Sequence, residues 1–385
     1  MKVVLTTLGK FHSFDLARQL HARGALEAIF SGYPRFKLKG EGLPDRFVRT
    51  FPYLHTPYMA AGWRDRFGLK FLRQWEYWDR TSIDRFVARS LPDAQVFVGL
   101  SSCGLATGRE AKRRGMKYVC DRGSTHIRHQ HELLRDEHAR WGLAFAGVDP
   151  RIVEREEAEY AMADLITVPS TFVRDTFIAR GLAPEKVKIL SYGVDLDRFH
   201  PSGAPRDDGF DLLFVGGFNL RKGVPYLLSA FQALQHSRKT LTIAGVPERA
   251  AVDRMRELCL LTDDVKLLGH VPQPELKALM SRSHALVLPS LEEGLAMVMA
   301  QALACGCPVV ASRNTGAEDL FTDRVEGFIV EPGDAKGLTG RLQALADDTA
   351  LQQRMRAAAV LRVRAIGGWA SYGENAMQLY EQALS

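Results

Sequence analysis

The stretch from Pro289 to Ser312 constrains the fold of this chain more than any other. An apolar run, Ala285–Leu288, predicts a buried strand directly before it. After a glycine-containing loop, Met297–Ala304 predicts a helix of strong helix formers, and Val309–Ala311 predicts a second buried strand. Strand, loop, helix and strand in this order form one unit of a parallel sheet. Such a unit places the loop and the helix N-terminus at the carboxyl edge of the strands, where free backbone N–H groups attract phosphate.

Two polar side chains belong to this unit. Glu293 stands at the mouth of the loop, and Gln301 follows eight positions later on the predicted helix. Both side chains carry oxygen atoms that can accept hydrogen bonds. The unit is therefore a candidate binding site for a ligand that carries phosphate.

A second glycine-containing loop follows the buried strand predicted at Asp211–Val215. Gly216 and Gly217 open this loop, and Arg221 and Lys222 close it before a predicted helix. Glycines let the backbone approach a diphosphate closely, and a cation at the end of the loop neutralises the diphosphate charge. The order of strand, loop and helix favours this interpretation over a turn with solvated basic residues.

Together these two segments resemble the donor-binding segment of the family 4 glycosyltransferases, which are retaining enzymes of GT-B architecture. In that family a Glu opens the first loop, matched by Glu293, and Lys-Gly ends the glycine loop, matched by Lys222-Gly223. The sequence departs from the family pattern at three positions. Gln301 replaces a second Glu, Gly217 replaces the usual Arg, and Ala296 replaces a Gly.

The resemblance implies an α/β fold of GT-B architecture, in which two Rossmann-like domains face each other across a cleft. A chain of 385 residues is also longer than a single core usually holds, which favours two domains. We expect an N-terminal acceptor-side domain over residues 1–195, a linker over 196–209 and a nucleotide-sugar-binding domain over 210–368. A C-terminal helix over 369–385 is expected to pack back on the first domain.

The resemblance also implies roles for single residues. Glu293, Lys222 and His126 are the expected catalytic residues, and His126 is matched by its position in a polar run after a predicted strand. Arg122 and Arg128 in the same run are candidates to face a phosphate or an anionic acceptor. The expected donor-binding residues are Gly9, Lys10, His12, Gly216, Gly217, Arg221, Val271, Ala296, Met297, Val298 and Gln301.

The N-terminus predicts the first strand and helix of the first domain. Lys2–Gly9 predicts a buried strand, and Ser13–Arg23 predicts a helix with Ser13 as its N-cap. The fingerprint G-x-G-x-x-G is missing from the turn between them, so the sequence does not predict a dinucleotide cofactor. Gly9, Lys10 and His12 are expected to line the cleft by analogy with the fold alone.

Residues 30–80 carry most of the positive charge, with ten basic and five acidic side chains in a chain of net charge +6. From Trp63 the aromatic residues recur with helical spacing, at Phe67, Phe71, Trp75 and Trp78. A basic helix with an aromatic stripe can lie on an anionic membrane, and the alternative is a stripe that faces the core. Motifs that read DNA or RNA do not accompany the charge, so we do not expect a nucleic-acid partner.

The sequence contains no apolar run that approaches the roughly 20 residues of a membrane span, and its N-terminus lacks a secretory pattern. We therefore expect a cytoplasmic protein. If the aromatic stripe is exposed, we also expect peripheral contact to the inner face of the cell membrane through residues 30–80. The five cysteines are scattered and are expected to be reduced. His126, His129 and His131 lack a supporting carboxylate or Cys at the spacing of a zinc site.

The function implied by the resemblance is transfer of a sugar from a UDP- or GDP-linked donor to a glycan, lipid or small-molecule acceptor. The resemblance implies that the anomeric configuration is retained, and we expect neither a cofactor nor a required metal ion. The alternatives are a non-catalytic nucleotide-sugar-binding protein of the same fold and a GT-B-like nucleotide-sugar epimerase. An exposed aromatic stripe favours lipid-linked acceptors, and a buried stripe favours soluble ones.

Overall fold

The computed structural model describes residues 1–60 and 67–385. Its strands are β1 (Val3–Thr7), β2 (Leu26–Ser31), β3 (Val48–Thr50), β4 (Val96–Leu100), β5 (Lys117–Asp121), β6 (Leu165–Val168), β7 (Val187–Ile189), β8 (Phe210–Val215), β9 (Lys239–Ala244), β10 (Val265–Gly269), β11 (Ala285–Leu288), β12 (Val309–Ser312) and β13 (Gly327–Val330). The strands form two separate sheets, one from each half of the chain, and the strand pairs of both sheets are parallel.

Helices cover both faces of the sheets. They are α1 (Phe11–Ala22), α2 (Arg35–Leu38), α3 (Pro52–Met59), α4 (Leu69–Arg89), α5 (Leu105–Arg113), α6 (Ile127–Arg140), α7 (Pro150–Met162), α8 (Thr171–Ile178), α9 (Val224–Ala233), α10 (Arg249–Glu257), α11 (Gln273–Arg282), α12 (Met297–Ala304), α13 (Ala317–Leu320), α14 (Ala335–Asp347), α15 (Thr349–Ile366) and α16 (Trp369–Leu384). Because helices cover the sheets on both sides, the central strands are continuous apolar runs rather than alternating ones.

The first sheet has the order β3-β2-β1-β4-β5-β6-β7. The strand order reverses between β1 and β4, which are hydrogen-bonded neighbours. In an open parallel sheet a ligand crevice forms at such a switch point, outside the carboxyl ends of the two strands. The loop after β1, with Gly9 and His12, and the loop after β4, with Ser101 and Ser102, therefore lie at the same edge.

The second sheet has the order β10-β9-β8-β11-β12-β13, and its order reverses between β8 and β11. β8 and β11 are paired at Ala285–Leu212 and Leu286–Leu213, in the buried centre of the sheet. The two loops that the sequence marks as a diphosphate site follow these two strands. They are therefore neighbours at the carboxyl edge.

The last helix returns to the first domain and packs on its first helix. Gly373 of α16 faces Gln19 of α1 so closely that a Cβ at this position would lie 2.4 Å from the Cβ of Gln19. The side chain of Arg23, which follows α1, donates to the Ala370 carbonyl oxygen at 2.8 Å. Residues at the two ends of the chain thus form part of the same layer.

Local sequence patterns predict the central elements well. The strand at Ala285–Leu288 and the helix at Met297–Ala304 are confirmed with the same bounds. The first helix is confirmed as an element, but the prediction that Ser13 caps it is wrong. The helix begins at Phe11, Lys10 is its N-cap without a side-chain hydrogen bond, and Ser13 is buried inside the helix.

The aromatic stripe is exposed along most of its length. Phe67, Phe71 and Trp78 are 42%, 40% and 48% exposed, so the alternative that the stripe faces the core is wrong for these three residues. The predicted helical spacing is confirmed from Leu69 onward by α4, while Trp63 lies outside the described residues. Within residues 1–60 and 67–385, none of the helices has the length and the apolar character needed to cross a membrane.

Candidate functional site

Close backbone contacts join the loops that follow β8 and β11. Gly223 ends the first loop with a φ of 70°, and a Cβ at this position would lie 2.0 Å from the carbonyl oxygen of Pro289. Gly216 opens the same loop with a φ of 153°, and a Cβ at Gly245 would lie 1.8 Å from the Gly216 carbonyl oxygen. Side chains at Gly223 and Gly245 would force the loops apart, so glycine is what lets the backbones meet.

Two cations and a carboxylate meet where these loops touch. The Lys222 ammonium forms an ion pair with the Glu293 carboxylate, and the Arg221 guanidinium lies 3.3 Å from the other oxygen of Glu293. Glu293 is held in place because Ser290 Oγ donates to its carboxylate at 3.2 Å and its own backbone N–H donates to the Asn314 carbonyl oxygen at 3.0 Å. The structure thus brings together three residues that the sequence analysis selected from two separate segments.

The helix α12 begins directly after this cluster. Ala296 is its N-cap and makes no side-chain hydrogen bond to the first turn, while the Ala296 N–H donates to the Thr315 carbonyl oxygen at 3.2 Å. The first N–H groups of an α-helix have no partners within the helix, and in α12 these belong to Met297 and Val298. The N-terminus of α12 can therefore face a negatively charged ligand.

Glu292, the residue next to Glu293, is a junction between the two domains. Its side chain accepts hydrogen bonds from the backbone N–H of Thr125 at 3.0 Å and from the Thr125 hydroxyl at 2.9 Å. The Ser124 hydroxyl and the Gln130 amide, which donates at 3.0 Å, also contact this carboxylate. Within the second domain, Arg221 Nη1 lies 3.3 Å from Glu292 Oε2. Glu292 therefore ties the loop after β5 to the loop after β8.

The surroundings of Glu292 keep it ionised. Burial alone would raise the pKa of this carboxyl, because a low-dielectric interior disfavours charge. The charge of Arg221 and the hydrogen bonds from Ser124, Gln130 and Thr125 outweigh burial and lower the pKa of Glu292 to about 2. A charged carboxylate thus remains buried between the domains at neutral pH.

A second set of interdomain hydrogen bonds lies beside the first. Ser170 Oγ donates to the Gly294 carbonyl oxygen at 2.6 Å. The backbone N–H and hydroxyl of Thr171 donate to Asp319, the hydroxyl at 2.7 Å. Both contacts join the start of α8 in the first domain to the loops around α12 in the second. The cleft is therefore closed by polar contacts on the side of Glu293.

On the first domain the cleft opens into a cavity of about 710 Å³. The loop after β1 lines it with Gly9 and His12, and the loop after β5 lines it with Arg122. Met297 of α12 lines the same cavity from the second domain. The cavity is thus continuous with the helix N-terminus of the candidate diphosphate site.

His12 forms a buried pair in this cavity. Its Nε2 lies 2.6 Å from Asp121 Oδ2, and Thr167 Oγ1 donates to the other oxygen of Asp121 at 3.0 Å. The ring of His12 stacks on Tyr192, with ring centroids 4.4 Å apart. Both the carboxylate and the stacking partner fix the orientation of the imidazole toward the cavity.

The structure corrects the placement expected for three polar residues. His126 does not line the cavity: its ring packs against Tyr160 and Phe177, and its Nδ1 caps α6 by accepting from the Arg128 N–H at 3.3 Å. A position after a strand does not determine whether the side chain points into the cavity or turns back onto the helix that follows. The Arg128 side chain pairs with Glu157 on the exposed surface, and Lys10 pairs with Glu41 at 2.8 Å.

Other expected residues have less distinctive surroundings. Gln301 lies half-buried on α12, and Val271 lies half-buried in the loop after β10. Gly217 lies beside Asn219, whose side chain caps the turn that carries Lys222 by accepting the Lys222 N–H at 3.1 Å. Across residues 1–60 and 67–385, no three side chains of His, Cys, Asp or Glu are arranged to hold a metal ion.

Two site residues were not identified from the sequence. Asp121 is the last residue of β5, and the polar run that follows it already indicated a site at this strand end. Glu292 is adjacent to Glu293, but its partners Ser124, Thr125 and Gln130 are more than 160 positions away in the chain. A position at a carboxyl strand end could have indicated Asp121, whereas the sequence contains no local signal for the contacts of Glu292.

Comparison with known proteins points to one enzyme class. The family described as "Glycosyl transferases group 1" matches residues 196–362. The D-inositol 3-phosphate glycosyltransferase 1 of Catenulispora acidiphila is 28% identical over 294 residues, which cover 71% of this chain and 70% of that protein. The glycogen synthase of Mycobacterium tuberculosis is 32% identical over 206 residues, which cover 52% of this chain and 49% of that protein.

Solved structures of low sequence identity share the fold along the whole chain. Sucrose-phosphate synthase from Thermosynechococcus elongatus has a TM-score of 0.74 at 20% identity and covers 99% of this chain and 98% of its own. Anabaena Alr3699/HepE in complex with UDP and glucose has a TM-score of 0.71 at 14% identity, and the match covers 99% of this chain and 100% of that one. The expected GT-B fold is confirmed. Residues 196–362 match the glycosyl transferases group 1 family, and the protein is a glycosyltransferase.

Proposed function

We propose that the protein transfers a sugar from a nucleoside-diphosphate sugar to a hydroxyl-bearing acceptor, with retention of the anomeric configuration and without a required metal ion. The donor would carry UDP or GDP, and the acceptor would be a glycan, a lipid-linked sugar or a small molecule. The observation that carries the proposal is the meeting of Lys222 and Arg221 with Glu293 at the junction of the two donor loops.

The main chemical requirement of this reaction is to stabilise charge on the departing diphosphate. Preorganised cations and backbone N–H groups in a site that excludes water are an effective way to do so. Lys222 has three N–H donors and can hold Glu293 and a phosphate oxygen together. Arg221 and the N-terminus of α12, at Met297 and Val298, would complete the set. These fixed positive groups supply what a metal ion supplies in other enzymes, which supports metal independence.

The sugar and the ribose need hydrogen-bonding groups rather than charge neutralisation. The two oxygens of Glu293 can accept from sugar hydroxyls, and the amide oxygen of Gln301 can accept from the ribose. The acceptor would enter from the cavity on the first domain, beside His12 and Asp121. We assign the donor to the second domain because the glycine loops and both cations belong to it. Gly9 and His12, which the resemblance assigns to the donor, we therefore place at the acceptor instead.

We also propose that the protein contacts a membrane surface through α4 and the segment before it. Phe67, Phe71 and Trp78 are exposed, and Lys70 and Arg73 stand on the same helix. Exposed aromatic side chains beside basic ones suit the interface of an anionic bilayer. Two helices that carry exposed apolar residues, α3 and α4, also line the acceptor cavity with Tyr58 and Arg80. A lipid-linked acceptor would thus be presented close to its site.

A thermal-shift screen tests the donor proposal. The protein is heated with UDP, GDP, ADP and their common sugar conjugates, with and without magnesium. A ligand that binds only the folded protein raises the melting temperature by mass action, by an amount equivalent to about 2.7 kcal/mol at a hundredfold excess over its Kd. We expect one nucleotide class to raise the melting temperature equally with and without magnesium. A shift that requires magnesium would overturn metal independence.

Product analysis separates transfer from the two alternatives. Proton NMR of the products with the stabilising donor should show release of the nucleoside diphosphate and one new glycoside in the configuration of the donor. Donor binding without any nucleotide release would instead favour a non-catalytic binding protein. Conversion of the donor sugar into its epimer would favour an epimerase.

A further inference from the structure

We infer that the acceptor site takes a neutral polyhydroxyl compound, such as an uncharged sugar residue or cyclitol, and discriminates against its phosphate monoester. This inference rests on the proposed function, because it assigns the cavity of the first domain to the acceptor. It concerns the cations of the cavity wall. Each of them is already neutralised by a carboxylate that belongs to the same domain.

The two arginines of the wall are paired. Arg80 Nη2 lies 2.5 Å from Glu76 on the same helix, and Arg122 Nη1 lies 2.8 Å from Glu156. Both carboxylates line the cavity as well. Arg122 also donates to the Thr125 carbonyl oxygen at 3.0 Å, so its guanidinium is fixed within the first domain. A phosphate would have to displace Glu76 or Glu156 from these guanidiniums, which also donate to Ser102 and Ser101. The Lys222 ammonium of the proposed donor site differs, because its three N–H donors can hold Glu293 and a phosphate oxygen together.

The two histidines of the wall are paired in the same way. His12 lies 2.6 Å from Asp121, and His55 Nδ1 lies 2.8 Å from Asp79. A histidine hydrogen-bonded to a carboxylate forms a pair of zero net charge when protonated and of charge −1 when neutral. Neither protonation state of these pairs offers a positive site to an anion.

The charged side chains of the wall therefore carry no excess positive charge. Its ionisable side chains are two arginines, two histidines and four carboxylates, namely Arg80, Arg122, His12, His55, Asp15, Glu76, Asp79 and Glu156. With carboxylates ionised, these groups sum to zero when both histidines are protonated and to −2 when both are neutral. Lys10 and Arg18 near the rim are likewise paired with Glu41.

A phosphate monoester carries up to two negative charges, and burying them without new pairing is costly. A neutral polyol avoids this cost. Each ion pair of the wall presents N–H donors beside carboxylate acceptors, which matches a hydroxyl that both donates and accepts. The aromatic residues Phe11, Tyr33 and Tyr58 supply apolar surface in the same cavity. Such a mixture of apolar surface and placed polar groups is typical of a site for a small neutral ligand.

The experiment uses matched acceptor pairs that differ by one phosphate: glucose with glucose 6-phosphate, and myo-inositol with myo-inositol 1-phosphate. Binding to the full-length protein is measured by ligand-observed NMR with and without the stabilising nucleoside diphosphate, so that it does not depend on turnover. We expect the neutral member of at least one pair to bind at least about tenfold more tightly, which corresponds to about 1.4 kcal/mol.

Two variants test the cause. Glu76→Gln and Glu156→Gln each leave one arginine of the wall without its counter-charge, and should improve binding of the phosphate member about tenfold relative to the neutral member. Glu110→Gln is the matched control, because Glu110 pairs with Arg113 and Arg114 on the surface outside the cavity. This control should leave the ratio unchanged. Two variants are used so that loss of folding in one does not remove the test.

Several results would overturn the inference. These are preference of the wild-type protein for the phosphate member, an unchanged ratio in both cavity variants, or binding of neither member of either pair. The proposed function has its own readout in the thermal shift with donor nucleotides. A protein that binds donor but fails the acceptor comparison would refute only the inference, whereas one that binds no donor nucleotide would refute the proposed function.

Discussion

Glu292 of the second domain accepts hydrogen bonds from both the backbone N–H and the hydroxyl of Thr125 in the first domain. The same carboxylate lies 3.3 Å from Arg221, which in turn contacts Glu293. One buried carboxylate thus connects the loop at the proposed acceptor cavity to the cation proposed to hold the donor. The contact between the two domains and the position of Arg221 in the proposed donor site thus share one group.

We predict that Glu292→Gln lowers kcat/KM at least tenfold. The amide loses the charge that pairs with Arg221, and its NH2 group faces the donors of Ser124, Thr125 and Gln130 rather than an acceptor. Because the contact joins two domains, the variant should also have a larger radius of gyration in small-angle scattering, with an unchanged circular dichroism spectrum. Glu275→Gln, an exposed carboxylate on α11, is the control. Wild-type kcat/KM in Glu292→Gln would refute a role for this contact.

We predict that Lys222→Ala and Glu293→Ala each abolish turnover to within detection, a loss of at least about 10²-fold, while the fold remains intact. Lys222 would no longer neutralise the leaving diphosphate, and Glu293 would no longer hold the sugar. The rate of nucleotide release measures the effect, and the circular dichroism spectrum reports the fold. Lys266→Ala, on the exposed face of β10, should retain wild-type rates. Turnover near the wild-type rate in either variant would refute the catalytic role proposed for that residue.

The pair of Lys222 and Glu293 and the contacts of Glu292 differ in how far the sequence predicts them. Lys222 and Glu293 come from different segments, yet each follows a buried strand, and the carboxyl ends of parallel strands share one edge. Local patterns were therefore sufficient to bring them together. The partners of Glu292 belong to the other domain, and how two domains dock is not determined by local pattern.

The local sequence also does not determine the direction in which a side chain points. His126 follows a strand in the expected way, but its side chain turns back to cap α6 and packs on Tyr160. The aromatic residues of α4 have a spacing that fits either a core-facing or an exposed stripe, since periodicity identifies a face and not its neighbours. Only the packing of α4 on the domain reveals that Phe71 and Trp78 are exposed.

We predict that Gln301→Glu tightens binding of the donor nucleotide several-fold. Hydrogen bonds to a charged acceptor are roughly twice as strong as neutral ones, and a carboxylate would accept both hydroxyls of a ribose. Isothermal titration with the stabilising nucleoside diphosphate gives the Kd of wild type and variant. Gln382→Glu, on the exposed surface of α16, adds the same charge away from the cleft and should leave the Kd unchanged. Unchanged or weaker binding in Gln301→Glu would remove Gln301 from the ribose site.

We predict that the protein sediments with vesicles that contain anionic lipid and that the double variant Phe71→Ser, Trp78→Ser loses most of this binding. Burial of an aromatic side chain in the interface contributes about 25 cal/mol for each Å² of apolar surface, and serine removes nearly all of it. Because basic residues contribute as well, binding should weaken as salt is raised. Leu361→Ser, an exposed apolar residue on α15, is the control. Equal sedimentation of the double variant and wild type would refute the contact.

We predict that His126 makes the protein less stable as the pH falls from about 6.5 towards 4. Burial lowers the pKa of its imidazole from 6.5 to about 4, and the cap that it provides needs an unprotonated Nδ1 to accept from the Arg128 N–H. Between these two values the unfolded chain binds a proton that the folded protein excludes. The stability that His126 contributes is therefore fully present at pH values above its pKa in the unfolded chain. This stability is lost as the pH falls through its pKa in the folded protein.

Urea unfolding at a series of pH values measures this effect. His126→Asn keeps a side-chain oxygen that can cap α6 and removes the titration, so its free energy of unfolding should fall less steeply than that of wild type between pH 6.5 and pH 4. His270→Asn, an exposed histidine after β10, should follow the wild-type slope. Identical slopes for His126→Asn and wild type would mean that the His126 imidazole accepts its proton as readily in the folded protein as in the unfolded chain, contrary to its role as a neutral helix cap.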